Sequence, residues 1–132
     1  MYYMGMKNLL IIDGYNVIKN FYTENISFAD KRKKLLRDIS NCAYYKNYEI
    51  IVVFDSKEQS FDYSEMIGNI KVIYSGYRKS ADSIIENLVI SNNSYDKKLV
   101  VTSDFALQQV VFGARNTLRK SSREFYQEIN KK

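Results

Sequence analysis

The sequence predicts an α/β protein: a three-layer, doubly wound and mainly parallel sheet of four to five strands, with helices on both faces. Three observations carry that prediction. Apolar runs without polar alternation, around Leu9–Ile12, Ile50–Phe54 and Leu99–Val101, suit strands covered on both sides. Each run leads to an acid: Asp13, Asp55 or Asp104. The stretches between them carry the three-to-four spacing of amphipathic helices, so strand and helix alternate as they do around a parallel sheet. A chain of 132 residues with no proline, no internal repeat and no low-complexity linker is expected to form one domain over residues 1–132. Residues 1–6 are expected to be a flexible extension of it.

The first strand is read at Leu9–Ile12 and ends at Asp13-Gly14. Tyr15 to Glu24, rich in Asn and aromatic residues, reads as a loop or short helical turn. Ser27 is placed to cap a helix from Phe28 to Lys46, whose inner face is Leu35, Leu36, Ile39, Cys42 and Ala43. Its outer face carries Lys31, Arg32, Lys33, Lys34 and Arg37, read first as a solvated face and second as a phosphate-binding cluster. A β-branched strand over Glu49–Asp55 repeats the opening pattern. Ser56 to Asn69 is polar and reads as a long loop with a helical turn. A short strand, Ile70–Tyr74, closes at Ser75-Gly76, and Ser80 caps a helix that reaches Ile90. Asp82 and Glu86, four apart, share one face of that helix. Lys98–Val101 and the following Thr102-Ser103-Asp104 form the fourth strand and its exit, followed by a helix from Phe105 to Phe112 ended by Gly113. Asn116–Lys120 is a short last strand. Ser121-Ser122-Arg123-Glu124 has the form of a capping box and opens a helix to Asn130.

Composition removes whole classes of chemistry. With no histidine and one cysteine, Cys42, there is no imidazole acid-base catalysis, no Ser-His or Cys-His pair and no Cys/His zinc cluster. A lone cysteine also forms no internal disulfide, which fits a reducing compartment. The amino-terminal residues lack the pattern of a secretory signal, and no apolar run approaches the roughly 20 residues needed to cross a bilayer. A cytoplasmic location without membrane association is the expectation. The net charge of +5 favours polyanionic partners. The 12 tyrosines are explained equally well by packing and by stacking on unpaired bases.

Parallel strands send their carboxyl ends to one edge, so Asp13, Asp55 and Asp104 are expected to gather there, and Asp82 opens a helix that leaves the same edge. Each acid alone has an ordinary explanation as a turn former or helix cap. Together they repel and raise one another's pKa unless a cation intervenes. An all-oxygen donor set without imidazole or thiolate suits Mg²⁺ or Mn²⁺, ions that serve phosphoryl chemistry in many nucleases.

Asp13-Gly14-Tyr15-Asn16-Val17-Ile18, Val52-Val53-Phe54-Asp55, Ser80-Ala81-Asp82-Ser83-Ile84-Ile85-Glu86 and Val101-Thr102-Ser103-Asp104 resemble, in order, segments of the NYN domain family of the YacP type. Gln108–Gly113 and Leu118–Glu124 extend the resemblance across nearly the whole chain. That family belongs to the PIN-like nucleases. The resemblance implies a metal-dependent endoribonuclease acting on RNA, with mRNA as the expected substrate and the ribosome as an expected partner. By residue match, Asp13, Asp82 and Asp104 would hold the metal, with Asp55 and Glu86 assisting. Asn16 would position the Asp13 loop, and Arg115, Arg119 and Arg123 are candidates for phosphate contact. Two features depart from the family pattern: the chain ends soon after Ser121–Glu124, and Gly113–Thr117 lacks the second glycine usual there.

The full expectation is cleavage of single-stranded RNA guided by basic residues and tyrosines. Its rival is a non-catalytic RNA-binding or ribosome-binding module of the same fold. A receiver-like phosphoacceptor would want an adjacent pair of acids after the opening strand. An aspartyl-nucleophile hydrolase would want an acid two residues after Asp13, where Tyr15 stands. A dinucleotide site would want a glycine-rich loop where only Gly14 is found.

Overall fold

Strand β1 (Asn8–Asp13) runs through the middle of the sheet and divides the core. Successive side chains of a strand point to opposite faces, so Leu10 and Ile12 belong to one apolar cluster and Leu9 and Ile11 to another, all four fully buried. The remaining strands are β2 (Glu49–Asp55), β3 (Tyr63–Ile67), β4 (Ile70–Ser75), β5 (Lys97–Val101) and β6 (Thr117–Lys120). They form one six-stranded sheet in the order β3-β4-β2-β1-β5-β6, in which only the edge pairing of β3 with β4 is antiparallel. This computed structural model describes residues 6–56 and 60–131. The expected amino-terminal extension, apart from Met6, lies outside the described residues.

The helices are α1 (Gly14–Phe21), α2 (Phe28–Ser40), α3 (Ala81–Ser91), α4 (Phe105–Gly113) and α5 (Ser122–Ile129). Val17 and Ile18, Leu35 and Ile39, and Phe125 and Ile129 put α1, α2 and α5 on the Leu10 face. Ile84, Ile85 and Val89 with Leu107 and Val111 put α3 and α4 on the other. This is the expected three-layer, doubly wound arrangement. Ser27, Ser80 and Ser121 cap their helices through side-chain oxygens that accept from Asp30, Ser83 and Glu124 amides, each at 3.1 Å. None of the described helices is long and apolar enough to cross a membrane.

Three expectations are corrected. The segment after Asp13 is a full helix, α1, because Val17 and Ile18 recur on its inner side and Asp13 itself caps it. Helix α2 stops at Ser40 instead of Lys46. The Asn41 amide closes its last turn on Arg37, and a one-turn 3-10 helix, Ala43–Tyr45, then swings Tyr45 inward to donate to Glu128 on α5. The polar stretch before Ile70 contains β3, so the sheet has six strands where four to five were expected. Gly68, at φ 60, occupies the first position of the two-residue hairpin loop between β3 and β4. Every residue of β3 is exposed, so the strand carries no buried face for a pattern to reveal.

Gly14 sets the distance between α1 and the sheet. A Cβ there would lie 2.4 Å from the Phe54 ring, which is itself fully buried on β2. Gly14→Ala is therefore expected to lower stability by about 1–3 kcal/mol through overpacking. A urea unfolding curve measures this, and an unchanged midpoint would mean that the ring can move aside.

Candidate active site

The carboxyl edge of the parallel strands holds a cavity of about 120 Å³ lined by Asp13, Tyr15, Asn16, Lys19, Asp55, Ala81, Asp82 and Asp104. Four elements supply its acids. Asp13 ends β1 and caps α1, and Asp55 ends β2. Asp82 lies in the first turn of α3, and Asp104 caps α4 just beyond β5. Glu86, one turn after Asp82, does not line the cavity, yet it is close enough to act on the Asp82 charge.

Asp13 is the most enclosed of the four, at 5% exposure. Its Oδ1 accepts from the Asn16 amide at 3.3 Å and its Oδ2 from the Thr102 hydroxyl at 3.0 Å. Burial lifts its pKa from the ordinary 3.8 to about 6; these two hydrogen bonds oppose the rise, and the charges of Asp82 and Asp104 add to it. Asp82 is also raised, by burial first and then by Asp104, Glu86 and Asp55. Asp55 accepts from the Ser75 hydroxyl at 3.0 Å, and Asp104 from the Ala106 and Leu107 amides at 2.8 and 3.3 Å. The site thus concentrates negative charge in a partly desolvated place, with Lys19 as the one cation among its lining residues.

A divalent cation fits this chemistry. The donors are all oxygen, and Asp13 and Asp82 are raised first by burial and then by neighbouring carboxylate charge, which a cation would offset. Among the described residues no group of three or more acidic side chains stands close enough together to hold a metal ion.

Around the acids runs a frame of hydrogen bonds. Asn16 Oδ1 accepts from the Ser103 amide at 3.0 Å and from the Ser122 hydroxyl, tying α1 to the β5–α4 loop and to α5. Arg119, on β6, donates to the Thr102 carbonyl at 3.1 Å. Arg123 lies over the Phe21 ring, 5.8 Å from its centroid, beside a cleft of about 370 Å³ that Ser103 and Ser121 also line. Arg115 is placed elsewhere. It precedes β6, which runs parallel to β5 with Thr117 paired to Lys98, so it stands at the edge opposite the acids. The loop lacking a second glycine is accommodated by Asn116, which takes a φ of 53.

Sequence reasoning passed over three residues of the site. Thr102, fully buried, donates to Asp13 and accepts from the Asp104 amide at 3.0 Å, joining two of the acids. The sequence signal was a hydroxyl residue two before an acid at a strand's end. Tyr15 and Lys19 line the cavity from consecutive turns of α1. A segment read as a loop or short helical turn offers no helix face on which to align them.

The family model of the YacP-like NYN domain matches residues 10–132. The fold is similar to two crystal structures of Rae1 (YacP) from Bacillus subtilis. One, of a point mutant, is 31% identical, with a TM-score of 0.75 over 94% of this chain and 75% of that chain. The other is 30% identical, with a TM-score of 0.72 over 92% of this chain and 72% of that chain. A comparison with curated proteins gives no match. By the family match and these two likenesses, the chain belongs to the YacP-like NYN domain family.

Proposed function

We propose that the protein is an endoribonuclease that hydrolyses phosphodiester bonds in single-stranded RNA with Mg²⁺ or Mn²⁺ as cofactor. The family is nuclease-type, with a function related to RNA. The observation that carries the finer reading is the convergence of Asp13, Asp55, Asp82 and Asp104, from four separate elements, on one small cavity. In this reading Asp13, Asp82 and Asp104 hold the cation, and Asp55 and Glu86 assist by adding negative charge around it. A bound divalent ion supplies an activated water and offsets charge on the phosphodiester. Thr102 and Asn16 keep the Asp13 carboxylate oriented, and Arg119 fixes Thr102 from behind. Lys19, which lines the cavity, and Arg123, beside the neighbouring cleft, are assigned to phosphate contact, whereas Arg115 stands at the opposite edge. An mRNA substrate, action at the ribosome and a cytoplasmic setting belong to the proposal.

The test is cleavage of an unstructured RNA oligonucleotide, followed on a gel with and without divalent metal. Cleavage is expected with Mg²⁺ or Mn²⁺, to cease in excess chelator and to fall by about 10²–10³-fold in Asp82→Asn, a loss equivalent to about 3–4 kcal/mol of transition-state stabilisation. Full activity in chelator would overturn the metal, and wild-type activity of Asp82→Asn would overturn the site. Salt-sensitive RNA binding without turnover in any metal would establish the rival reading, a non-catalytic RNA- or ribosome-binding module.

A further inference from the structure

Arg32 differs from the other cations of α2. Its guanidinium lies over three aromatic rings, 5.3 Å from the Phe28 centroid and 5.9 Å from those of Phe54 and Tyr74. Rings engage a guanidinium through its face, which leaves its N–H edges free for an anion. Lys34, two residues on, pairs with Glu24, but among the described residues no acid lies within ion-pair distance of Arg32. A half-buried cation held in place with no counter-charge among the described residues is a site prepared for one.

The rings around it form a row that begins at the acid cavity. Tyr15 lines the cavity and meets Phe28 at 5.7 Å. Beyond Arg32, Phe54 meets Tyr74 at 5.9 Å, and Tyr74 is stacked on Tyr63 of the edge strand at 4.7 Å with an interplanar angle of 18°. Tyr15 and Tyr63, at the two ends, are 46% and 49% exposed. The acid nearby, Glu65, accepts from the Tyr74 hydroxyl at 3.3 Å. Exposed ring, guanidinium, exposed ring is the alternation that an unpaired strand of bases and phosphates requires.

We infer that Arg32 binds a phosphate of the RNA strand beside the acid cavity, with Tyr15 and Tyr63 as stacking platforms for the flanking bases. This rests on the proposed RNA substrate and deepens it: the strand leaves the cavity across the start of α2 towards β3, and it must be unpaired there, because paired bases cannot stack on side chains.

Binding of a fluorescein-labelled, unstructured 12-nucleotide RNA to the whole chain, measured by anisotropy in chelator over a range of salt, tests this without any need for cleavage. Arg32→Met keeps the aliphatic stem among the rings and removes the charge. It is expected to weaken binding about tenfold and to reduce the slope of log K against log salt by about 0.7. Tyr63→Ala, at an exposed position, is expected to weaken binding at least about fivefold. Lys46→Ala, a charge loss remote from the row, serves as control and is expected to stay within about twofold. A duplex of the same sequence should bind at least about tenfold more weakly. Wild-type affinity and salt slope in Arg32→Met, with its thermal melt intact, would overturn the inference. Should Arg32→Met fail to fold, wild-type affinity in Tyr63→Ala does so instead. Cleavage measured in parallel separates the two readings. Wild-type cleavage with unaltered Arg32→Met binding removes the track and leaves the nuclease. Binding that depends on Arg32, with no cleavage in any metal, keeps the track and removes the nuclease.

Discussion

Asp13→Asn is expected to abolish RNA cleavage and, in metal-free buffer at neutral pH, to make the protein more stable. The buried carboxylate has its pKa raised from 3.8 to about 6, so the folded state holds this proton more tightly than the unfolded state does. Below about pH 4 both states are protonated and the group is neutral towards folding. As pH rises from there through 6, the native site must give up a proton that the unfolded chain has already lost, and stability falls. Above 6 the full penalty is present, about 3 kcal/mol. Asparagine keeps the shape and the acceptor for the Asn16 amide without the charge. Its melting temperature should exceed that of the wild type by about 5–10 °C at pH 7.5 and match it near pH 4. Adding Mg²⁺ or Mn²⁺ should raise the wild-type melt and leave the variant's unmoved. A variant less stable than wild type at pH 7.5 in chelator would show that Asp13 serves the fold instead of straining it.

Thr102→Val is the second large effect. Valine fills the same volume, so the change isolates the hydroxyl. Its loss strips Asp13 Oδ2 of its donor and takes from the part-buried Asp104 amide its acceptor. Two unsatisfied groups are expected to cost about 2–4 kcal/mol. The Thr102 hydrogen bond is also the leading influence that lowers the Asp13 pKa, so removing it drives that pKa further up. Catalysis that needs ionised Asp13 should then show its acid limb displaced to higher pH, together with a cleavage rate lower by about 10–100-fold. A simple loss of stability would not move the limb. An unmoved limb would make Thr102 a structural residue alone.

What the sequence revealed followed from how strongly each element announces its own burial. β1, β2 and β5 are covered on both faces, so their apolar runs were unmistakable, and parallel pairing then carried Asp13, Asp55 and Asp104 to a common edge. The serine caps of α2, α3 and α5 were legible because an N-cap is a local contact between a side chain and an amide two or three residues on. β3 is silent in the sequence because it buries nothing, and Gly68-Asn69 before Ile70 is the one local hairpin signal it leaves. The pairing order of the strands is a long-range property, and no local pattern encoded it. Arg32 was read with its basic neighbours as part of a solvated face. Only the fold brings Phe54 from β2 and Tyr74 from β4 beneath it.

The hydrogen bond from Ser122 to Asn16 spans 106 residues, and that from Thr102 to Asp13 spans 89. Contacts this distant along the chain form late, after the loops between them have closed. A polypeptide emerging amino end first therefore displays all four acids of the cavity once Asp104 has been made, yet its frame closes only when α5 is added. Under the proposed activity, the cavity is expected to reach its final rigidity only after the last helix has been made.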